Sequence, residues 1–253
     1  MFFEHEYPVC EYDSDREAII RPSDFLHKCL PSRCVITFFR KELEAFVKEN
    51  GLFVVGHLHS EVLDIPIYTD DTRSFCITMP FSTSPGAAGT IEELHAMGCE
   101  TFLICGAAGG LPPGNRAGEI VLPISAVRDE GASYHYLPPS REVLCHAGAV
   151  AALQEGLRQR GIPFNAGKTW TTDAMYRETP ALVARRRAEG CLTVEMEAAG
   201  FFAVSAYYDL PLAQLLYVGD DVSGEAWDAR DWNRQKSVRA NLIALLAELI
   251  QTF

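Results

Sequence analysis

The chain has 253 residues, of which 48% are hydrophobic and 22% charged, and its formal net charge at pH 7 is −12. Such a composition is typical of a globular protein, and a chain of this length buries about three quarters of the surface exposed when unfolded. The acidic balance argues against a nucleic-acid partner, and no apolar run approaches the ~20 residues that span a bilayer. The amino terminus lacks the basic start of a secretion signal, so we expect a cytoplasmic protein with no membrane partner.

Eight cysteines are scattered along the chain without a C-x-x-C pair. Several lie in apolar runs, where cysteine packs as a small hydrophobic residue. We therefore interpret them as reduced core thiols and predict no metal site; the alternative is a nucleophile, which would need a base beside it. The eight residues are Cys10, Cys29, Cys34, Cys76, Cys99, Cys105, Cys145 and Cys191.

Apolar runs alternate with amphipathic stretches throughout, as in βαβ units. The predicted strands are Cys34–Phe39, Phe53–Val55, Ser74–Met79, Thr101–Cys105, Glu119–Leu122, Ala166–Thr171 and Ala213–Val218. The predicted helices are Lys41–Asn50, Gly86–Met97, Val143–Gln159, Pro180–Glu189, Glu197–Tyr208 and Asp231–Gln251. No repeat or linker interrupts them, so we predict an α/β fold in a single three-layer domain, residues 1–253, around a largely parallel sheet.

Three predicted strands end in segments rich in glycine, aspartate or threonine. These segments are Gly106–Gly110, Thr171–Tyr176 and Gly219–Asp221. Open α/β sheets bind ligands outside the carboxyl ends of their strands. We therefore predict that these three segments, as loops, form the site.

Two carboxylates, Glu195 and Glu197, lie inside an apolar run. On a helix, residues two positions apart point about 200° from each other, so only one of the two would face the core. A buried carboxylate without partners is costly, and a ligand with two adjacent hydroxyl groups, such as a ribose, would supply those partners. The alternative is that Glu197 stabilises a helix amino terminus and pairs with an arginine.

Several segments carry a resemblance to one superfamily. Val194–Gly200, which reads VEMEAAG, resembles the signature of small-subunit purine nucleoside phosphorylases, uridine phosphorylases and methylthioadenosine nucleosidases. Thr101–Leu111 and Gly118–Val121 resemble the superfamily's central strand, glycine loop and following strand. Glu130–His135 is similar to a segment of uridine phosphorylases, and Thr172–Tyr176 to the loop whose aromatic residues line the base pocket. The resemblance implies a nucleoside phosphorylase fold with a mixed, largely parallel sheet.

The resemblance also implies roles for individual residues. Glu197 would bind the 2′- and 3′-hydroxyls of the ribose, and Met196 would pack under the sugar. Met175 and Tyr176 would flank the base. In the purine enzymes an aspartate follows the ribose glutamate by 23 residues, and here 220 − 197 = 23 leads to Asp220. Asp220 would then be the general acid that protonates a purine at N7.

An acid at the leaving group fits the chemistry of this bond. Cleavage passes through an oxocarbenium-like sugar while electrons flow into the base, so a proton delivered to the base lowers the barrier. We expect burial and repulsion by Asp221 to raise the pKa of Asp220, and the two side chains to face opposite sides. The alternative is that Asp220 caps a turn or a neighbouring helix.

The phosphate-binding residues of related phosphorylases are not in place. The first strand is followed by no glycine and arginine of the Pro-Gly-Asp-Pro-x-Arg type, and Ile104 replaces the arginine of the central strand. Ala107 replaces a hydroxyl residue. Arg40 or Lys41, with the backbone N–H groups around Gly106 and Ala107, would bind the anion from a shifted position. The alternative is that both basic residues are solvated.

We predict an enzyme that cleaves the N-glycosidic bond of a purine-type nucleoside with phosphate as co-substrate and no cofactor. The products would be free base and ribose 1-phosphate. A pyrimidine substrate is disfavoured, because the chain after Tyr176 offers a misplaced arginine and no glutamine. Two alternatives stay open: a nucleosidase that uses water, and a non-catalytic nucleoside-binding protein. The resemblance also implies a homodimer or hexamer in which a neighbouring subunit would lend His5.

Overall fold

The computed structural model describes residues 1–232 and 234–253. Its strands are β1 (Phe2–Phe3), β2 (Tyr12–Asp13), β3 (Arg33–Thr37), β4 (Phe53–His59), β5 (Asp64–Thr69), β6 (Cys76–Thr78), β7 (Thr101–Gly110), β8 (Ile120–Asp129), β9 (Glu142–Leu144), β10 (Asn165–Thr172), β11 (Cys191–Glu195) and β12 (Leu212–Asp221). Its α-helices are α1 (Arg40–Glu49), α2 (Thr83–Ala96), α3 (Ala147–Gln159), α4 (Pro180–Ala188), α5 (Ala198–Tyr208) and α6 (Lys236–Leu249). The predicted α/β class is confirmed.

A single mixed sheet contains the strands from β3 to β12, in the order β11-β10-β8-β12-β7-β3-β6-β5-β4, with β9 paired to β8. The run β6-β3-β7-β12 is parallel, whereas β12–β8 and the hairpins β4–β5 and β5–β6 are antiparallel. In addition, β11 pairs with β7 through Thr193–Gly110 and Val194–Gly109. Strands β7, β12, β8, β10 and β11 therefore form a closed ring, which brings the ends of β7, β11 and β12 together.

The segment Gly106–Gly110 is not the loop expected from its glycines. It continues β7 because β12 pairs with it along one edge and the end of β11 along the other. Its backbone groups therefore belong to strand pairing instead of an open glycine loop. At Gly109 a side chain would also crowd the neighbouring strand, since a Cβ atom there would lie 3.0 Å from Cγ1 of Val194.

The predicted helix Val143–Gln159 starts too early. Glu142–Leu144 forms the edge strand β9 against β8, and α3 begins only at Ala147. The ring of His146 accepts the backbone N–H of Ala149 over 3.1 Å and caps the helix. Four further strands, β1, β2, β5 and β11, also lie where no strand was predicted.

Helix α5 packs in the interior, and its residues from Ala198 to Ser205 are all buried. It contacts α2 so closely that a Cβ atom on Gly200 would lie 2.4 Å from Oγ of Ser84 and 2.7 Å from its carbonyl oxygen. Only a glycine permits this approach. Among the residues described, no helix combines the length and the apolar character needed to cross a membrane.

We expect Gly200→Ala to lower the free energy of unfolding by about 1–3 kcal/mol, the usual cost of overpacking, because the new methyl group meets backbone of α2. Gly89→Ala is the matched control, since a Cβ atom on this α2 residue meets nothing within 4 Å. It should stabilise the protein by about 0.5–1 kcal/mol through helix propensity. Urea unfolding measures both variants, and equal effects would contradict the close packing of α2 and α5.

Candidate active site

A pocket of about 160 Å³ lies just after β3 and at the end of β11, and it reaches the middle of β7 and the first half of β12. Of the three segments predicted to form the site, Gly106–Gly110 contributes Gly106 and Ala107 to the lining, whereas Thr171–Tyr176 and Gly219–Asp221 lie outside it. The pocket is also bordered by α6 and the residues just before it. Its lining residues are Phe38, Phe39, Gly106, Ala107, Glu195, Glu197, Gln214, Leu216, Trp232 and Arg239.

Both carboxylates of the VEMEAAG segment line this pocket, which corrects the expectation that only one of them faces inward. The reason is that they do not share a helix: Glu195 is the last residue of β11, and Glu197 immediately precedes α5. The change from strand to helix turns both side chains toward the pocket. The expected helix, Glu197–Tyr208, is otherwise observed.

Glu195 holds this strand-to-helix corner together. One carboxyl oxygen accepts the backbone N–H groups of Glu197 and Ala198 over 2.8 and 2.7 Å, and the other accepts the hydroxyl of Thr171 over 2.7 Å. Burial, and then the charge of Glu197, raises the pKa of Glu195 to about 8, although these hydrogen bonds oppose the rise. Glu195 thus has a structural role, and burial disfavours its charged form.

One carboxyl oxygen of Glu197 is held by a backbone N–H group from across the site. Its Oε1 accepts the N–H of Thr83 over 2.7 Å, and Thr83 takes the unusual φ of +69° at the start of α2. Burial raises the pKa of Glu197, and the Thr83 N–H opposes that rise. A strained residue that donates to a pocket carboxylate is the kind of feature that positions a functional group.

The two aspartates at the end of β12 face different surroundings, as the alternation along a strand predicts. Asp221 forms an ion pair with Arg230 and accepts hydrogen bonds from the side chain of Asn115 (3.2 Å) and the N–H of Ser223 (2.8 Å). Burial acts to raise the pKa of Asp221, but these partners bring it below the ordinary value. Asp221 therefore has a structural role.

Asp220 lies near the end of β12 and is not among the residues that line the pocket. Its Oδ2 accepts the indole N–H of Trp227 over 2.6 Å, and its Oδ1 would lie 3.6 Å from a Cβ atom on Gly109. A further acid, Glu178, lies near Asp220. Burial, and then the charge of Asp220, raises the pKa of Glu178 to about 7. The sequence carries no signal for Glu178.

The residues predicted to flank the base lie on an open surface. Met175 and Tyr176 form a short turn after β10, with exposed fractions of 49% and 93%. Met196, between the two glutamates, is partly buried. Met196 is not among the residues that line the pocket, and the turn that carries Met175 and Tyr176 is open to solvent.

The predicted anion-binding residues separate into two groups. Gly106 and Ala107 line the pocket together with Glu197. Arg40 does not: it is exposed at the start of α1 and lines a different groove with Glu44 and Asp64. Ile104, at the position of the missing arginine, is fully buried in the core. The structure therefore does not bring Arg40 together with the glycine segment.

The arginine that lines the pocket is Arg239, which sequence reasoning did not single out. It lies in the first turns of α6, a helix that contributes no motif of its own. Its Nε donates to the hydroxyl of Tyr217 over 2.8 Å, and its Nη2 donates to the carbonyl of Trp232 over 2.6 Å. The signal in the sequence is weak, because only the fold places the carboxyl-terminal helix beside β3 and β12.

Three buried thiols lie close together, away from the pocket. The Sγ atoms of Cys34, Cys76 and Cys99 lie within 4.8 Å of one another. Among the described residues, these three form the one group of side chains spaced closely enough to bind a metal ion. Burial raises the pKa of Cys34 well above its ordinary value. Metal ligation requires thiolates, whereas neutral thiols pack as small apolar groups. The cluster fits its place in the core.

Comparison with known protein families gives one match over most of the chain. The family described as Phosphorylase superfamily matches residues 33–251. This chain belongs to that superfamily. The match includes β3 to β12 and all six helices, so every residue of the pocket lies inside it. The membership predicted from the VEMEAAG segment is confirmed.

Among individual proteins, the chain is similar to several phosphorylases. It is 28% identical to the guanosine phosphorylase of Halorubrum lacusprofundi over 173 residues, 64% of this chain and 72% of that protein. It is 29% identical to the uridine phosphorylase of Haemophilus influenzae over 126 residues, 45% of this chain and half of that protein. Sequence similarity therefore does not separate purine from pyrimidine enzymes.

Solved structures share the fold at lower identity. The purine nucleoside phosphorylase of Toxoplasma gondii, in complex with immucillin-H, superposes with a TM-score of 0.70 at 18% identity, covering 88% of this chain and 93% of that one. The AMP nucleosidase of Bacteroides thetaiotaomicron superposes with a TM-score of 0.68 at 21% identity, covering 87% and 91%. The predicted nucleoside phosphorylase fold is confirmed.

Proposed function

We propose that this protein is a nucleoside phosphorylase that transfers the ribosyl group of a purine-type nucleoside to phosphate, as in purine salvage. The observation that supports this proposal best is that both acids lie close to the end of β7: Glu197 is partly buried and lines the pocket with Gly106, and the carboxylate of Asp220, on the adjacent β12, lies near Gly109. One acid binds the sugar and the other serves the base. The reaction uses phosphate as co-substrate and needs no cofactor.

Glu197 would accept hydrogen bonds from both sugar hydroxyls, with Met196 packed beneath the ring. Its Oε1 is already oriented by the N–H of Thr83, so the carboxylate need not reorganise when the ribose binds. The raised pKa of Glu195 supports this role, because a negative charge on Glu195 would disfavour the ionised form of Glu197, the carboxylate that binds the sugar.

Asp220 would deliver the proton that the departing base requires. Trp227 fixes one of its oxygens by donating to Oδ2, which leaves Oδ1 to face the base. Glu178 lies near enough to Asp220 that the charge of Asp220, after burial, raises the pKa of Glu178 to about 7. Met175 and Tyr176, on their exposed turn, would cover the outer face of the bound base.

Hydrolysis is the second candidate function. It is favoured by the residues that stand where phosphorylases bind phosphate. Phe39 and Ala107 line the pocket where phosphorylases carry a glycine turn and a hydroxyl group, and buried Ile104 cannot reach an anion. Phosphorolysis is preferred because an arginine, Arg239, still lines this wall. A phosphate dianion needs a charge-assisted hydrogen-bond donor, whereas a water nucleophile does not.

The proposal includes a homodimer or hexamer in which His5 of a neighbouring subunit completes the site. His5 is exposed in the isolated chain, in an amino-terminal segment rich in exposed apolar side chains. These side chains are Phe2, Phe3, Tyr7, Val9, Ile19 and Ile20. Exposed apolar surface of this kind is typical of protein contacts.

The reaction itself is tested by product analysis of a nucleoside panel with and without phosphate. We expect guanosine or inosine to yield free base and ribose 1-phosphate, and turnover to stop in phosphate-free buffer. Free ribose without phosphate would establish hydrolysis instead. Faster cleavage of uridine than of either purine nucleoside would contradict the purine assignment.

Glu197→Gln should weaken sugar binding by about 1.5–3 kcal/mol, because it removes the charge that strengthens both hydroxyl hydrogen bonds while it keeps the shape. The measurement is the KM of the best nucleoside at saturating phosphate. Glu44→Gln, in the separate groove beside Arg40, is the control and should leave KM unchanged. Unchanged kinetics in Glu197→Gln would remove the ribose assignment.

Asp220→Asn should lower kcat on guanosine by about 10²–10⁴, since the amide still accepts a hydrogen bond but delivers no proton. Cleavage of 7-methylguanosine should be largely spared, because its cationic base leaves without protonation. Asp221→Asn is the control and should give a milder loss on both substrates, through the ion pair with Arg230. Equal losses on both substrates in Asp220→Asn would exclude the acid role.

A further inference from the structure

The pocket contains a cation to which the sequence assigned no role. Arg239 lines the pocket together with Glu197, Phe39 and Ala107. Its Cζ atom lies 5.4, 5.7 and 6.0 Å from the ring centroids of Phe39, Trp232 and Tyr217. Three aromatic rings and two hydrogen bonds therefore hold the guanidinium in one place.

Within the described part of the chain, no carboxylate lies in ion-pair distance of Arg239, whereas Arg230 and Arg186 are each paired with two acids. This is notable in a chain with a net charge of −12. A hydroxyl and a carbonyl take Nε and Nη2, and the remaining Nη1 carries two further N–H donors. A partly buried guanidinium without a counter-ion favours a bound anion.

The pocket wall beside Arg239 leaves room for that anion. Gly106 and Ala107 carry minimal side chains, and a Cβ atom on Gly106 would already lie 3.3 Å from the ring of Phe38. Small residues here keep the space open between the ends of β3 and β7.

We infer that Arg239 is the anion-binding residue of this pocket, so that inorganic phosphate is bound from the carboxyl-terminal helix α6 instead of from the turn between β3 and α1. This inference rests on the proposed function for its ligand. Tyr217 and the carbonyl of Trp232 act as positioning groups, because they hold the guanidinium fork in the orientation that presents its free edge to the pocket.

The test compares Arg239→Gln with Arg40→Gln. Loss of a charge-assisted donor pair should raise the phosphate KM by about 10- to 100-fold, whereas the KM for the nucleoside should change little. Arg40→Gln should leave both constants unchanged, because Arg40 lines another groove. Arg239→Met, which keeps the apolar stem against the aromatic rings, serves if the glutamine variant fails to fold. A normal phosphate KM in the folded Arg239 variant would overturn the inference.

Direct phosphate binding separates this inference from the proposed reaction. Isothermal titration of the nucleoside-free protein with inorganic phosphate should give a signal in the wild type and in Arg40→Gln, and a signal at least 10-fold weaker in Arg239→Gln. Binding lost only in the Arg239 variant, without turnover of any nucleoside, would support Arg239 and reject the phosphorylase. No phosphate binding to the wild type, or equal binding in all variants, would reject Arg239.

Discussion

The corner between β11 and α5 depends on one carboxyl group, that of Glu195. Its two oxygens take the backbone N–H groups of Glu197 and Ala198 and the hydroxyl of Thr171, so they join β11, α5 and β10 at one point. Because this carboxyl group is buried, its pKa rises, which disfavours a second charge beside Glu197. The other elements of the pocket are arranged around that corner.

Close packing connects the corner between β11 and α5 to the rest of the site. Gly200 lets α5 approach α2, and the contact brings the N–H of Thr83 to Glu197. On the opposite side, β11 pairs with the end of β7 and so places Glu197 in the same pocket as Gly106. The closed ring of strands thus explains how residues far apart in the chain meet in a small volume.

The pocket is electrostatically divided. Glu197 supplies its negative side, and Arg239, held by aromatic rings and two hydrogen bonds, supplies its positive side. Phosphorolysis requires such a division, because the sugar hydroxyls donate hydrogen bonds while the attacking anion accepts them. Asp220 and Glu178, which we propose to lie beside the base, are not among the residues that line this pocket; they lie at the end of β12 and just after the turn that follows β10.

The sequence by itself determined the superfamily and the α/β class, because the VEMEAAG segment and the alternation of apolar and amphipathic runs are local patterns. The roles of Glu197 and Asp220 stay predictions. The sequence did not correctly predict the features that depend on pairing between strands distant in the chain. Gly106–Gly110 reads as a loop until β12 and β11 supply partners that make it a strand. Arg239 was decided only by the tertiary structure, because a side chain from the last helix reaches the pocket through packing between elements distant in the chain, which no local pattern encodes.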